Sequence, residues 1–414
     1  MQSLKSVRGT RDIAPAEALK YRHVVDVARE ISLLYGFEEI ATPIFEFSEV
    51  FKRTLGETSD IVSKEMYNFR DRGGEELTLR PEYTAGIARA FMSGGISNAL
   101  PLKLFASGPM FRYERPQKGR LRQFHQIDVE ILGVSSFKAD VELLALGAQI
   151  LRELGITKQV RLEINSLGDL ESRKRYRDEL VSYFSDNSRF LSEDSLVRLE
   201  RNPLRILDSK DESDKKIVAN APLMSQSLND ESTAFFDSVL GGLDDLKIDY
   251  HRNERLVRGL DYYNHTAFEF VTDALGSQGA LIAGGRYDRL IETMGGTATA
   301  GIGWAGGVER LSMLANDPPI SERPIAVIPV SDKECAVATR VSHDLRQSGR
   351  VVEYAFRGNL SRRLKRANRL NARVAVVIGP DELQREMVML RDLDSGSQTE
   401  AKLDALIEKL TLYR

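Results

Sequence analysis

Residues 107–133 constrain what this chain can fold into more than any other stretch. From Gln123 to Leu132 the residue character alternates with a period of two, the pattern of a strand with two unlike faces. His125, Ile127, Val129 and Ile131 share one face; Phe124, Gln126, Asp128 and Glu130 share the other. The first set is apolar enough for core and the second is too polar for it. A preceding strand carries Phe111, Arg112 and Tyr113. Residues 114–120 join the two; they are cationic and contain Pro116 and Gly119, which suits a loop that reaches for phosphate. Such a hairpin reads either as a surface ribbon with a solvated tip or as the wall of a charged site.

At 414 residues the chain is long enough for two or three domains. Hydrophobic residues at 42% and charged ones at 29% place it among soluble globular proteins. The start of the sequence has no apolar signal core, and no apolar run is long enough for a bilayer, so no membrane partner is expected. The one cysteine, Cys335, cannot form an internal disulfide, which fits a reducing cytoplasm. His23, His125, His251, His265 and His343 lack zinc-type spacing, and no metal ligands are assigned. A net charge of −3 argues against wholesale coating of nucleic acid, DNA included, yet leaves room for local basic patches.

Along the chain, residues 16–35 form an amphipathic helix ended by Gly36, and a strand over 37–45 follows, broken at Pro43. Strands over 65–80 lead to Pro81, where a helix begins; a carboxylate such as Glu82 is favoured in its first turn. Residues 137–154 are helical and 160–164 a strand. From 169 to 247 charges crowd in at helical spacing, which marks a helical insertion or a solvated accessory domain. Residues 255–270 hold Arg258 and the pair Tyr262 and Tyr263; the bland role for Arg258 is a salt bridge to Asp261. Gly301, Gly303 and Gly306 spell a G-x-G-x-x-G, but Glu322 lies in a linker rather than at a strand end, which rules out a dinucleotide fold. Residues 318–324 are a proline-rich linker. Beyond it, strands at 325–330, 351–354, 374–378 and 387–390 alternate with helices at 333–348, 360–370 and 403–412. Arg362, Arg363, Lys365, Arg366 and Arg369 make one of these helices strongly cationic.

Several motifs carry a resemblance. Arg8-Gly-Thr-x-Asp12 opens the chain, and Leu79-Arg-Pro-Glu-x-Thr-Ala85 follows. Phe111-Arg-x-Glu114, a basic loop and Arg122-x-Phe-His-Gln126 form the hairpin. Arg258-Gly-Leu-Asp-Tyr-Tyr-Asn264 and Gly307-x-Glu-Arg310 complete the set. Together they resemble the histidyl-tRNA synthetase family of class IIa synthetases along nearly the whole chain. The resemblance implies a multidomain α+β and α/β protein. Residues 1–168 and 248–317 would form an antiparallel-sheet catalytic domain, 169–247 a helical insertion that clamps the tRNA acceptor arm, and 325–414 an α/β anticodon-binding domain.

It also implies roles. Arg112 and Arg258 would be catalytic, holding the α-phosphate and the substrate carboxylate. Arg112, Arg120, Phe124 and Arg310 would bind ATP, with Mg²⁺ as companion ion. Glu82, Tyr83, Thr84, Gln126, Glu130, Arg258, Tyr262, Tyr263 and Tyr287 would bind histidine, with Glu130 and Tyr263 on the imidazole. Arg115 and Gln117 would touch tRNA(His), and the residues before and after Pro43 would build a homodimer interface. Two relatives compete. One is the synthetase-like regulatory subunit of ATP phosphoribosyltransferase, which lacks the C-terminal domain and usually the motif residues; the other is a class IIa synthetase for a different amino acid.

Overall fold

The computed structural model describes residues 4–413 apart from 57, 58, 95, 97, 98, 118, 259, 261, 277, 278, 320 and 321; Asp261 thus lies outside the described residues. The chain divides into two compact units, Met1–Pro318 and Pro319–Arg414.

The first unit opens with α1 (Pro15–Leu34), whose proline occupies its first turn and whose Tyr21, Val24, Ala28 and Ile31 form the buried stripe. Gly36, at φ +79°, turns the chain out of it. The strand expected over 37–45 is two strands in different sheets, β1 (Glu38–Glu39) and β2 (Phe45–Phe47). After α2 (Ser48–Leu55) come β3 (Tyr67–Arg70), β4 (Glu76–Leu79) and α3 (Thr84–Met92). The helix therefore starts three residues beyond Pro81, and both Glu82 carboxylate oxygens accept from its first amides, Thr84 N at 2.9 Å and Ala85 N at 2.8 Å. The central hairpin is β5 (Leu102–Phe111) and β6 (Gln123–Leu132). Its first strand ends at Phe111, so Arg112 and Tyr113 project beyond the ladder; the Arg112 amide still donates across the hairpin to Arg122 O at 2.9 Å.

Next stand α4 (Phe137–Glu153) and β7 (Arg161–Ser166). The charged stretch 169–247 contains α5 (Leu170–Asp186), α6 (Glu193–Arg201), α7 (Glu212–Val218) and α8 (Asp230–Asp245). Then come β8 (Tyr250–Arg252), β9 (Asn264–Val271), β10 (Ala280–Arg286), α9 (Leu290–Thr293), β11 (Gly301–Gly307) and α10 (Val308–Leu314). Eight strands form one sheet in the order β1-β5-β6-β11-β10-β9-β7-β8, antiparallel except at its two edges. The glycine-rich segment of β11 is thus a central antiparallel strand, not the turn of a βαβ unit.

One face of the sheet, with Ile127, Val129 and Ile131 of β6, packs on α1, α4 and α8 to form the main core. The other face of β6 supplies the site. Residues of α5 and the turns after it have a small core of their own around Tyr176, Leu180, Phe184 and Ile206. There Asp214 gathers hydrogen bonds from Ser192, Ser195 and Ser209.

The second unit contains β12 (Ile325–Pro329), α11 (Cys335–Gln347), β13 (Val352–Tyr354), α12 (Leu360–Arg369), β14 (Val374–Ile378), α13 (Pro380–Leu383), β15 (Met387–Asp392), β16 (Gln398–Lys402) and α14 (Leu406–Lys409). The sheet order is β13-β12-β14-β15-β16, parallel over the first three strands and antiparallel after them. Strand β16 is a polar edge with only Ala401 buried, which explains why no apolar alternation announces it. The expected final helix over 403–412 is shorter, one turn of α14 followed by a 3₁₀ turn. Of the five cations on α12, Arg363 is buried and donates to Pro329 O, and Arg366 pairs with Glu353 at 2.7 Å; Arg362, Lys365 and Arg369 remain on the exposed face.

Candidate active site

The polar face of β6 opens on a cavity of about 200 Å³. Its wall carries Arg112, Arg120 and Phe124 from the hairpin, Arg258, Tyr262 and Tyr263 from the segment before β9, and Arg310 from α10. Glu82, Thr84 and Gln126 complete the floor. These residues are far apart in sequence, and the antiparallel sheet brings them together because β6 and β10 flank β11.

Each cation has a distinct setting. Arg112 is half-buried; its Nε donates to Pro81 O at 2.9 Å and its guanidinium lies 5.2 Å from the Phe124 ring centre. Among the described residues no carboxylate stands at ion-pair distance from it, and burial pulls its pKa down. A guanidinium in that state is a ready partner for an anion. Arg258 pairs with Glu269 on β9, and its buried Nε meets no acceptor among the described residues. Arg310 donates to Gly119 O at 3.1 Å and Ala280 O at 2.7 Å, so it ties the basic loop to the start of β10. Arg120 pairs with Glu114 inside that loop.

Glu130 lies one layer beneath the cavity floor and is 1% exposed. Thr84 Oγ1 donates to its Oε1 at 2.5 Å and the Tyr287 hydroxyl to its Oε2. Burial pushes its pKa up to about 8, against the pull of those two bonds. The Tyr262 and Tyr263 rings lie 4.5 Å apart above it, and Tyr262 meets Tyr287 edge-on at 5.7 Å. Tyr287 is set by its neighbour: Arg286, fully buried, grips Asp140 and the carbonyls of Val134 and Ser136.

Not every expected residue reaches the cavity. Tyr83 turns away; its ring lies under Arg80 at 4.2 Å and its hydroxyl donates to Ser107 O at 2.8 Å. Arg115 and Gln117 are exposed on the loop, away from the cavity wall. Four residues that sequence reasoning left without a role also belong to the site. Glu269 holds Arg258. Glu309 accepts from His125 N with both oxygens at 3.0 Å. Gly303 sits opposite Glu130 in the β6–β11 register, where a Cβ would overlap the Glu130 carboxylate. Asp128 lies between Gln126 and Glu130 on the same face. Of these, Asp128 left a signal in the alternation of β6, Gly303 in the glycine-rich run and Glu309 in the Gly307-x-Glu-Arg310 motif, though none of the signals gave the role.

An antiparallel sheet flanked by helices, with two guanidiniums from separate segments facing an aromatic-lined cavity, defines a class II aminoacyl-tRNA synthetase. The chain matches the family described as histidyl-tRNA synthetase over residues 9–172 and 193–311, and the one described as anticodon binding domain over 324–412. It is 56% identical over 414 residues to the histidine–tRNA ligase of Rhodospirillum rubrum, spanning 100% of both chains. It is 53% identical over 406 residues to that of Gluconacetobacter diazotrophicus, spanning 98% of each. The crystal structure of apo histidyl-tRNA synthetase from S. aureus matches with a TM-score of 0.82 at 33% identity, covering 98% of this chain and 99% of that one. The chain belongs to the histidyl-tRNA synthetase family and is an aminoacyl-tRNA synthetase.

Proposed function

We propose that this cavity joins L-histidine to ATP and that the enzyme then passes histidine to tRNA(His). The observation that carries the reading is the pairing of Arg112, half-buried without a carboxylate, with Arg258 across a floor of acceptors. In the first step a histidine carboxylate oxygen attacks the α-phosphorus of ATP; the new O–P bond forms as the bond to pyrophosphate breaks. The carboxylate is already ionised near neutral pH, so the step calls for alignment of two anions and neutralisation of charge rather than a strong base. Arg112 and Arg258 supply both, Phe124 offers a face to adenine, and Arg310 and Arg120 lie where the distal phosphates would extend. In the second step a terminal ribose hydroxyl of tRNA attacks the acyl carbon and AMP leaves. We assign Arg115 and Gln117 to the acceptor end, a reading their exposure on the loop supports.

We place the substrate ring at Tyr263 and Thr84 on the cavity lining, with Glu130 and Tyr287 behind them. A pocket built to hydrogen-bond its substrate rejects analogues lacking those groups by about 10⁴-fold or more. The carboxylates on the cavity wall are engaged: Glu82 by amides, Glu114 by Arg120 and Glu309 by His125. No group of three metal-ligating side chains occurs among the described residues. Mg²⁺ would arrive on the nucleotide phosphates.

We read 1–168 with 248–317 as the catalytic domain, 169–247 as its insertion, 318–324 as the linker and 325–414 as the anticodon-binding domain. Exposed Ile44, Phe45, Phe47 and Phe69 on and beside the β2-β4-β3 sheet support a homodimer face. No described helix is long and apolar enough to cross a membrane, and we place the enzyme in the cytoplasm. The presence of the C-terminal domain and of every motif arginine favours the ligase over the regulatory-subunit reading. ATP–pyrophosphate exchange across a panel of amino acids tests the proposal. Exchange driven by histidine alone is expected, and exchange that is absent or driven by another amino acid overturns it.

A further inference from the structure

The segment Arg8–Asp12 contributes no residue to the cavity wall, yet it is fastened to the basic loop. Arg122, the residue before β6, donates its amide to Gly9 O at 2.8 Å. Gly9 stands at φ +88°, in the left-handed region, and Thr10 N donates back to Val7 O at 2.9 Å to close the turn. A Cβ at Gly9 would come within 2.7 Å of Arg122 Cγ and 3.0 Å of Pro116 Cγ. Arg122 has little room to give way: its guanidinium lies over the Tyr113 ring at 3.8 Å, and its Nε donates to Glu114 O at 3.2 Å. Two residues beyond Gly9, Arg11 pins the turn to α1 by donating to Glu17 and, at 2.7 Å, to the Tyr21 hydroxyl. Tyr21 in turn meets His125 of β6 edge-on at 5.9 Å.

The loop is thus held from two sides. Its inner arm, Gly119 and Arg120, is tied by Arg310 and Glu114. Its outer arm is Arg115, Pro116 and Gln117. Arg115 and Gln117 are exposed, and among the described residues their side chains have no hydrogen-bond partner. The backbone therefore sets where those two side chains stand, and Pro116 between them packs on Gly9. Gln117 and Arg120 exchange backbone bonds at 3.0 and 2.9 Å, so the two arms meet in a tight tip.

We infer that Gly9 is a positioning residue for the transfer step: the Val7–Thr10 turn fixes the outer arm of the loop against the acceptor end of tRNA and leaves the adenylate-forming cavity alone. The inference rests on the proposed function and deepens it, since it takes Arg115 and Gln117 as tRNA contacts. A misplacement of about 1 Å in a substrate-positioning group costs on the order of 100-fold.

The test separates the two half-reactions in the full chain. Gly9→Ala is expected to lower kcat/KM for charging of a tRNA(His) transcript by about 10- to 100-fold. Histidine-dependent pyrophosphate exchange, with its histidine and ATP KM values, should stay within about twofold. Arg11→Ala frees the turn from α1 without touching the loop, and it should also lower charging by about tenfold or more while sparing exchange. Because both variants act through one turn, the double variant should charge about as well as Gly9→Ala alone. A charging loss below about tenfold for Gly9→Ala overturns the inference. An equal loss in exchange overturns it too, because the turn would then serve the cavity. If Gly9→Ala fails to fold, Arg11→Ala decides by the same comparison. A parent without histidine-dependent exchange removes the proposed function, whereas a parent that exchanges and charges beside variants that do the same removes this inference alone.

Discussion

Replacing Glu130 by glutamine changes a proton count, and the consequence can be worked out. Burial pushes the Glu130 pKa up to about 8. A free imidazole titrates near 6.5. The bound pair holds one proton, whether written as carboxyl with neutral ring or as carboxylate with imidazolium. Because the Glu130 pKa is raised, its proton is present below about 8 and lost above. At about pH 7 roughly nine-tenths of the carboxyl is protonated and roughly three-quarters of the ring is neutral, so about 0.7 of encounters have the right count. At about pH 9 the carboxyl term limits that fraction to roughly 0.1, and at about pH 5.5 the ring term does the same. The histidine KM should therefore be lowest near neutrality and rise about eightfold on either side. In Glu130→Gln the alkaline limb has no group to titrate. Its KM should be higher throughout, and the ratio of variant to parent KM should fall about eightfold from neutral to about pH 9. The substrate's own α-amino group titrates identically with both enzymes and cancels in that ratio. The assay is histidine-dependent pyrophosphate exchange at saturating ATP across the range. A ratio that stays constant refutes the reasoning.

Three further outcomes follow from the geometry. Arg112→Lys keeps the charge but loses the two-pronged guanidinium, and the exchange kcat should fall about 100-fold, roughly 2.7 kcal/mol, with melting unchanged. Gly303→Ala drives a Cβ into the space of the Glu130 carboxylate, so saturation curves should show a raised histidine KM and a spared ATP KM. Arg286→Met leaves Asp140 buried without its cation and should cost about 3–5 kcal/mol in urea unfolding.

What the sequence discloses depends on the range of the interaction. The two faces of β6, the end of α1 at Gly36 and the strand-to-helix step at Gly307 are local, and each could be read from spacing and turn chemistry. The partners of buried charges are not local. Glu269, which pairs with Arg258, stands eleven residues along, on the strand that follows. Gly303 matters because the register of β11 sets it against Glu130, and register is a property of the assembled sheet. Tyr83 belongs to the Leu79–Ala85 motif, yet its ring serves Arg80 and the backbone of β5 rather than the cavity. Strand β16 escaped because an exposed edge can be built from polar residues.

The unpaired charges themselves argue for the ligand set. A folded chain ordinarily satisfies a cation or carboxylate that it withdraws from water, or keeps it exposed. Elsewhere in this unit that holds: Arg286 is saturated by Asp140, Asp288 and two carbonyls, and Asp214 by three serines. Around the cavity it is incomplete in both signs: among the described residues Arg112 has a carbonyl but no carboxylate, one nitrogen of Arg258 has no acceptor, and one oxygen each of Asp128 and Gln126 has no donor. Vacant donors alone would fit any phosphate, and vacant acceptors alone any amine. A site that lacks both within about 200 Å³ calls for a ligand pair carrying an ammonium, a carboxylate and a phosphate chain, which is an amino acid beside a nucleoside triphosphate.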